Sequence, residues 1–238
     1  MAHNSIPKFD QLPPIPGAPR GCAWGLFDKN GVKDQVGTLN LLTPEIVLDA
    51  STEIKRGESV ALKLGRLADN RDWSERGGII GRGVLVDFAS WAALNGVEVN
   101  PATRQVITLD VIKQILTEEN VVLKRGDILM VRTGLIQAYN ECKNNGAKNS
   151  LMRSSHTIGV EASEEMVQWL WNNHLAAVAG DAVAFEAQPF AKEYGELWDL
   201  ERLAEKCKAL GRWTFFVTSA PLNVKGGVGS PPNALAVF

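Results

Sequence analysis

The chain has 238 residues, 45% of them hydrophobic and 22% charged, and a net charge of −2 at pH 7. This composition is typical of a globular protein with one domain and short appendages. Because no basic stripe or acidic tail occurs, we expect no nucleic-acid partner. No apolar run reaches the roughly 18 residues of a membrane span, so we expect no membrane partner. Three widely spaced cysteines and the lack of a signal-peptide core indicate a cytoplasmic protein.

The first segment, residues 1–20, carries five prolines and has no hydrophobic periodicity. Proline lacks the backbone N–H that helices and sheets use, so we expect an extended N-terminal arm here. One option is that this arm packs on a partner subunit. We expect residues 21–238 to form a single domain.

Five segments have the pattern of helices, and most of them carry a capping residue. A side-chain oxygen before the first turn can accept a backbone hydrogen bond, and a glycine suits the position after the last turn. The predicted helices begin at Thr43, Thr108, Leu135, Ser163 and Trp198. The first is expected to reach about Arg56, and the last to stop at Gly211.

Short apolar runs lie between these helices and predict buried strands. They are SVALKL from Ser59, GRGVLVDFA from Gly81, DILMVRTG from Asp127, LAAVAGD from Leu175, RWTFFVTS from Arg212 and the C-terminal residues. Helices that alternate with apolar strands are typical of an α/β protein. We therefore predict an α/β fold with a largely buried mixed sheet and flanking helices.

Two histidines allow a functional and a structural interpretation, and the structural one is favoured for both. His174 follows a helix, where a cation suits the negative end of the helix dipole. His156 lies in the loop SSHTIG, and a hydrogen bond within the loop is favoured over a role in a site. No HxxxH or HxH spacing and no close pair of cysteines occurs, so spacing alone predicts no zinc site.

The carboxylates are more informative, although each allows two interpretations. Asp181 ends a predicted strand, where α/β proteins place site residues, but it could equally cap the next segment. Glu186 follows five positions later. Glu196 precedes a helix, so it could point into a site or favour the helix dipole.

Several segments together resemble the cyclase family of metal-dependent hydrolases, which includes bacterial kynurenine formamidase, with the greatest similarity to its fungal branch. The most specific segments are GTLNLLTPE and the tail from Gly195 to Phe238. The other matching segments are WGLFDKNGVKDQV, DWSERGGIIGRGVLVDFASW, LKRGDILMVRTG and IGVEASEEMVQWLWNNHLAAVAGDAVAFEAQP.

This resemblance implies a swivelling β/β/α-type fold and a homodimer or higher homo-oligomer. It also implies a divalent metal, zinc or manganese, that activates water to hydrolyse an amide or lactone-like bond. A metal does this by lowering the pKa of bound water and polarising the carbonyl. The expected substrate is a small metabolite, as in kynurenine formamidase.

The resemblance also suggests roles for individual residues. It makes Glu196 a metal ligand, and it places Trp24, Asp181 and Glu186 near the substrate pocket. The catalytic residue stays unassigned, because the family's proton-transferring histidine has no counterpart in a matching position of this chain.

The segments that should carry the other metal ligands are absent from residues 65–71 and 187–194, and neither interval contains a histidine. A catalytic zinc normally has three protein ligands, so most of the expected set is missing. One explanation is an incomplete coding sequence or the omission of site loops. The alternative function is that of a catalytically inactive paralogue that serves as a binding or assembly protein.

Overall fold

The computed structural model describes residues 6–18, 20–34, 36–61, 79–189, 198, 200–219 and 234–238, with the backbone alone at 59–61. Glu196 and residues 65–71 therefore lie outside the described residues. Short 3₁₀ helices occur at Phe9–Gln11 and Gly37–Leu41. The α-helices are α1 Pro44–Ser51, α2 Phe88–Leu94, α3 Leu109–Glu118, α4 Leu135–Glu141, α5 Asn145–Met152, α6 Glu164–Asn172 and α7 Glu201–Leu210.

The strands are β1 Ser59–Ala61, β2 Ile79–Asp87, β3 Val106–Ile107, β4 Ile128–Arg132, β5 Gly159–Val160, β6 Ala177–Gly180, β7 Thr214–Ser219 and β8 Ala234–Val237. Six of them form one mixed sheet in the order β1-β8-β7-β2-β4-β6. Strands β2, β4 and β6 run parallel, and the remaining neighbours are antiparallel. β3 and β5 form a separate parallel pair.

Alternate residues of the central strands enter two separate hydrophobic cores, because successive side chains point to opposite faces of a sheet. On one face Leu85 and Met130 join residues of α7 such as Leu203. On the other face Val84 and Val86 join residues of α2, α3 and α6. The sheet is thus covered on both sides, which explains why its central strands are apolar runs with no polar alternation.

Gly83 allows β2 and β7 to pack closely at the centre of the sheet. A Cβ atom at this position would lie 2.2 Å from Cε2 of Phe215. Phe215 is fully buried and pairs with Gly83 in the antiparallel register. The glycine is therefore required by the aromatic ring beside it.

The α/β fold and mixed sheet predicted from the sequence are confirmed, together with three of the predicted caps. Thr43, Thr108 and Ser163 each accept a hydrogen bond from the backbone N–H three residues later. Gly211 ends α7 with a left-handed φ of 59°. The predicted apolar face of α3 is buried: Leu109, Ile112, Ile115 and Leu116.

Some predicted boundaries are wrong. The helix after Thr43 ends at Ser51 instead of Arg56, since the Ser51 and Thr52 hydroxyls donate to backbone carbonyls at the helix end. The strand predicted through Ala89 stops at Asp87, whose carboxylate caps the unpredicted helix α2. The helix from Leu135 is also interrupted, because Cys142 is extended and a new helix, α5, follows.

The described part of the N-terminal arm lies on helix α6 of the same chain. The Phe9 N–H donates to Oδ1 of Asn172 at 3.0 Å, and Nε1 of Trp171 donates to the carbonyl of Pro7 at 2.9 Å. Phe9 itself is buried. Among the described residues, every helix is too short or too polar to cross a membrane.

Candidate active site at the carboxyl ends of the parallel strands

The carboxyl ends of β2, β4 and β6 lie at one edge of the sheet because these strands are parallel. Asp87 is paired in register with Arg132, and Val131 is paired with Gly180. Asp181 follows Gly180 directly and is therefore next to the end of β4. This edge is where α/β proteins place their binding sites, so it is the candidate site.

Asp181 is completely buried and holds the turn between β4 and α4. One carboxylate oxygen accepts hydrogen bonds from the backbone N–H of Thr133 at 2.6 Å and from its hydroxyl at 2.8 Å. The other accepts from the N–H of Gly134 at 3.1 Å. Burial raises the pKa of Asp181 to about 6, against the lowering effect of these hydrogen bonds. The capping interpretation placed the contacts of Asp181 on the segment that follows it, whereas the hydrogen bonds seen hold the start of α4, 47 and 48 positions earlier in the chain.

Arg132 forms the centre of a buried charged network beside Asp181. Nη1 lies 2.7 Å from Asp87, and Nε and Nη2 donate to the two oxygens of Glu201 at 2.9 and 2.5 Å. Ser90 and Gln137 accept the remaining N–H groups. Burial disfavours the charged guanidinium, but the hydrogen bonds that it donates to Glu201 and Asp87, together with their negative charges, outweigh burial and raise the pKa of Arg132.

We call the network of Asp87, Arg132 and Glu201 the frame, because its contacts hold neighbouring elements in place at the carboxyl ends of the parallel strands. A guanidinium has five N–H donors, and those of Arg132 are engaged by protein acceptors. Arg132 thus connects the end of β4 to α2, α4 and the first turn of α7. Sequence reasoning missed Asp87, Arg132 and Glu201. For Asp87 and Arg132 the available signal was a charged residue at the end of an apolar strand, whereas Glu201 lies in the first turn of α7 and had no such signal.

Glu186 lies in a segment that leaves this edge and runs beside β5. The N–H of Val160 donates to the carbonyl of Phe185 at 2.8 Å, and the N–H of Ala187 donates to the carbonyl of Val160 at 3.0 Å. A Cβ atom at Gly159 would lie 2.4 Å from the carbonyl carbon of Glu186, so a side chain at 159 would block this pairing. Glu186 itself is half-buried.

Trp24 lies in the turn region that precedes the first sheet strand, and it is 78% exposed. The three predicted pocket residues Trp24, Asp181 and Glu186 therefore occupy three different surroundings. Their assignment to a substrate pocket stays a prediction. So does the assignment of Glu196 as a metal ligand, since Glu196 lies outside the described residues.

The two candidate histidines have different outcomes. For His156 the loop interpretation is supported, because its Nδ1 lies 3.1 Å from the Ser155 hydroxyl and its backbone exchanges hydrogen bonds with Ser154. For His174 the prediction of a stabilising cation is wrong. Burial and the nearby charge of Arg125 lower its pKa, so the neutral imidazole is favoured.

A metal site was tested against the side chains that the structure describes. Among them, no group of three or more His, Cys, Asp or Glu side chains is arranged to hold a metal ion. The described residues therefore do not fit a catalytic zinc or manganese centre. Glu196 is one of the acidic residues outside the described ranges, and Asp69 and Glu193 are others in the sequence.

The chain is similar to a known protein family and to several solved structures. The sequence model of a family described as "Putative cyclase" matches residues 34–187, which is well over half of the chain. A search among the curated proteins finds no match. The crystal structure of a novel cyclase aligns with a TM-score of 0.71 at 24% identity, and covers 91% of this chain and 99% of that chain. This similarity shows a shared fold.

Two isatin hydrolases are also similar, at lower TM-scores. Isatin hydrolase A from Labrenzia aggregata, bound to benzyl benzoate, has a TM-score of 0.43 and 17% identity over 66% of this chain. Isatin hydrolase A from Ralstonia solanacearum has a TM-score of 0.43 and 17% identity over 67% of this chain. The aligned region spans 60% of each of those two chains.

Proposed function

The chain belongs to the cyclase family, and on that premise we propose that it hydrolyses an amide or lactone-like bond of a small metabolite. The observation that carries this proposal is the family match over residues 34–187. The buried frame at the carboxyl ends of the parallel strands supports it, because a rigid edge can hold catalytic segments in fixed positions. We place the chain in the fungal branch of the family, as a cytoplasmic homo-oligomer.

Backbone hydrogen bonds anchor the chain on both sides of Glu196 to the rest of the fold. On one side the N–H of Gln188 donates to the carbonyl of Thr157 at 3.0 Å. On the other side the N–H of Trp198 donates to the carbonyl of Gly180 at 3.0 Å, and Glu201 is held by Arg132. Anchored flanks of this kind suit a segment that contributes to a site.

A divalent metal, zinc or manganese, belongs to this proposal, with Glu196 as one ligand. Bound to the protein, such an ion would supply Lewis-acid activation of water. The described residues do not fit a metal centre. In this proposal Asp181 fixes the β4–α4 turn, and Arg132 fixes the start of α7.

The test combines metal analysis with hydrolysis assays on the purified 238-residue protein. We expect about one zinc or manganese per chain, a common stoichiometry for a mononuclear hydrolase site. We also expect turnover of a formanilide, an aryl lactone or the cyclic amide isatin. Chelation should abolish turnover, and adding back the metal should restore it.

A matched pair of variants tests the role of Glu196. Glu196→Gln keeps the size of the side chain but removes the charge, so it should lower the metal content and the turnover at least about tenfold. Glu205→Gln makes the same change at an exposed acid of α7 and should leave both unchanged. Equal effects of the two variants would argue against Glu196 as a ligand.

The inactive alternative remains motivated by the missing histidines of residues 65–71 and 187–194. Protein that folds, binds no divalent metal and turns over none of the three compound classes would overturn the hydrolase proposal. The chain would then be assigned to the binding or assembly class.

A further inference from the structure

A pocket of about 200 Å³ lies between the N-terminal arm, helix α6 and the edge strand β6. Its walls come from distant parts of the chain: Ile6, Phe27, Thr38, Trp171 and Ala177. Because these residues meet only in the folded chain, the pocket is a product of the tertiary structure. The pocket is lined by Ala177, the first residue of β6, whereas Asp181 of the candidate active site follows Gly180, the last residue of that strand.

The walls of the pocket are neutral. No charged side chain lines it in the part of the chain that the structure describes. His174 contributes to the wall, and burial together with the charge of Arg125 lowers its pKa, which favours the neutral ring. An ionised ligand would lose its hydration here without gaining a countercharge.

Two polar groups of the wall are engaged within the protein, whereas Nδ1 of His174 is buried and has no hydrogen-bond partner among the described residues. The hydroxyl of Thr38 donates to the carbonyl of Ala176 at 2.9 Å. The indole N–H of Trp171 donates to the carbonyl of Pro7 at 2.9 Å. The rest of the wall is mainly aliphatic and aromatic, including Phe27 and Leu170. A ligand must therefore gain most of its binding free energy from apolar contact.

The volume limits the ligand to a small molecule. An engineered apolar cavity of about 150 Å³ accommodates benzene, so a slightly larger pocket accepts one ring with a small substituent. Phe27 and Trp171 supply aromatic faces and edges against which such a ring can pack.

We propose that this pocket binds a neutral, single-ring aromatic compound that carries at most one small polar substituent. The proposal goes beyond the hydrolase function and does not depend on it, because the described residues that line the pocket do not include Asp87, Arg132 or Asp181 of the carboxyl edge. Binding can therefore be measured with protein that contains no metal.

The first test compares two ligands that share a p-tolyl ring and differ in charge. In ¹H–¹⁵N spectra of the wild-type protein, p-cresol should shift the indole N–H signal of Trp171, identified by its absence in Trp171→Phe. We expect saturation with a Kd on the order of 1 mM or tighter. Ionised 4-methylbenzoate should leave the signal unchanged. No shift with p-cresol, or an equal shift with 4-methylbenzoate, would overturn the proposal.

The second test fills the pocket. Val167 lines the pocket from α6 and is half exposed, so Val167→Trp can occupy the space without replacing a core residue. It should weaken p-cresol binding at least about tenfold. Leu94→Trp places the same side chain at an exposed position of α2 and should bind like the wild type. Unchanged binding by folded Val167→Trp would contradict the proposal. If that variant fails to fold, the comparison of ligands on the wild-type protein decides.

Discussion

Arg132 and Glu201 are 69 positions apart in the chain, yet Nε and Nη2 of the arginine donate to the two carboxylate oxygens at 2.9 and 2.5 Å. The guanidinium side chain is 7% exposed. The fork geometry of arginine matches a carboxylate in this way, which makes the pair directional as well as attractive. The pair fixes the first turn of α7 against the end of β4.

Loss of this arginine should destabilise the protein strongly. Arg132→Ala leaves the buried carboxylate of Asp87 without its main partner and removes the arginine that holds Glu201, so we expect a loss of about 3–5 kcal/mol in the free energy of unfolding. Urea denaturation monitored by circular dichroism measures it. Arg104→Ala, at an exposed position, should change the free energy by less than about 0.5 kcal/mol. Similar losses in the two variants would argue against the frame.

Asp181 should be needed for stability irrespective of any catalytic role. Asp181→Ala leaves the buried N–H groups of Thr133 and Gly134 without their acceptor, at a cost of about 2–4 kcal/mol. The control is Glu205→Ala, at an exposed acid on α7, which should leave the free energy of unfolding nearly unchanged. The measurement is again urea denaturation. A stable Asp181→Ala protein that has lost only activity would instead favour the site interpretation of Asp181.

Glu119 should make the stability of the protein depend on pH. Burial, with the charges of Asp87 and Glu118, raises its pKa to about 8 from an ordinary value of 4.5. One of its oxygens is buried and has no hydrogen-bond partner among the described residues. The folded state therefore holds a proton that the unfolded state releases. The stability that this proton provides is complete below about pH 4.5 and is lost as the pH rises to about 8.

Glu119→Gln should remove this dependence, because the amide keeps the shape and carries no charge. A shift from 4.5 to about 8 corresponds to about 4–5 kcal/mol at pH 9, and solvent screening of this partly exposed side chain lowers the expected gain in stability of the variant to about 2 kcal/mol. At pH 5 the two proteins should differ by less than about 1 kcal/mol. Unfolding in urea at pH 5, 7 and 9 measures the difference. A difference that does not change with pH would contradict the raised pKa.

The contact between Gly83 and Phe215 predicts that even one added methyl group is harmful. Gly83→Ala places a Cβ atom 2.2 Å from the ring, and overpacking of this kind costs about 1–3 kcal/mol. Phe215→Leu should cost stability by itself but make the alanine tolerable, so the double variant should be more stable than the sum of the two losses predicts. Thermal and urea unfolding of the four proteins complete the cycle. Strict additivity would argue against the contact.

The helices were predictable to the extent that their signals are local. Thr108 and Ser163 cap their helices through the N–H three residues ahead, and Gly211 ends α7 through its own φ. Such interactions depend on a few neighbouring residues. The missed helix α2 shows the limit, because Phe88 and Ala89 read equally well as the end of a buried strand, and the cap Asp87 reads as a strand residue.

The candidate site was less predictable, since its contacts join distant segments. The sequence marked Asp181 as the end of a strand, but left open whether it serves a site or a cap. Its hydrogen bonds to Thr133 and Gly134 span nearly 50 positions and depend on β4 lying beside β6. The roles of Trp24 and Glu186 rest on resemblance alone, because the contacts formed by these side chains do not assign them to a common pocket.

The family, the α/β class and most of the helices and strands were predictable from the sequence, because capping, periodicity and matched segments are properties of neighbouring residues. The order of the strands, the pairing of Arg132 with Glu201 and the pocket beneath the N-terminal arm exist only in the folded chain. These features arise when strands in register and helices on both faces bring distant side chains together. Burial then determines which charges must be paired and which, such as that of Glu119, are suppressed.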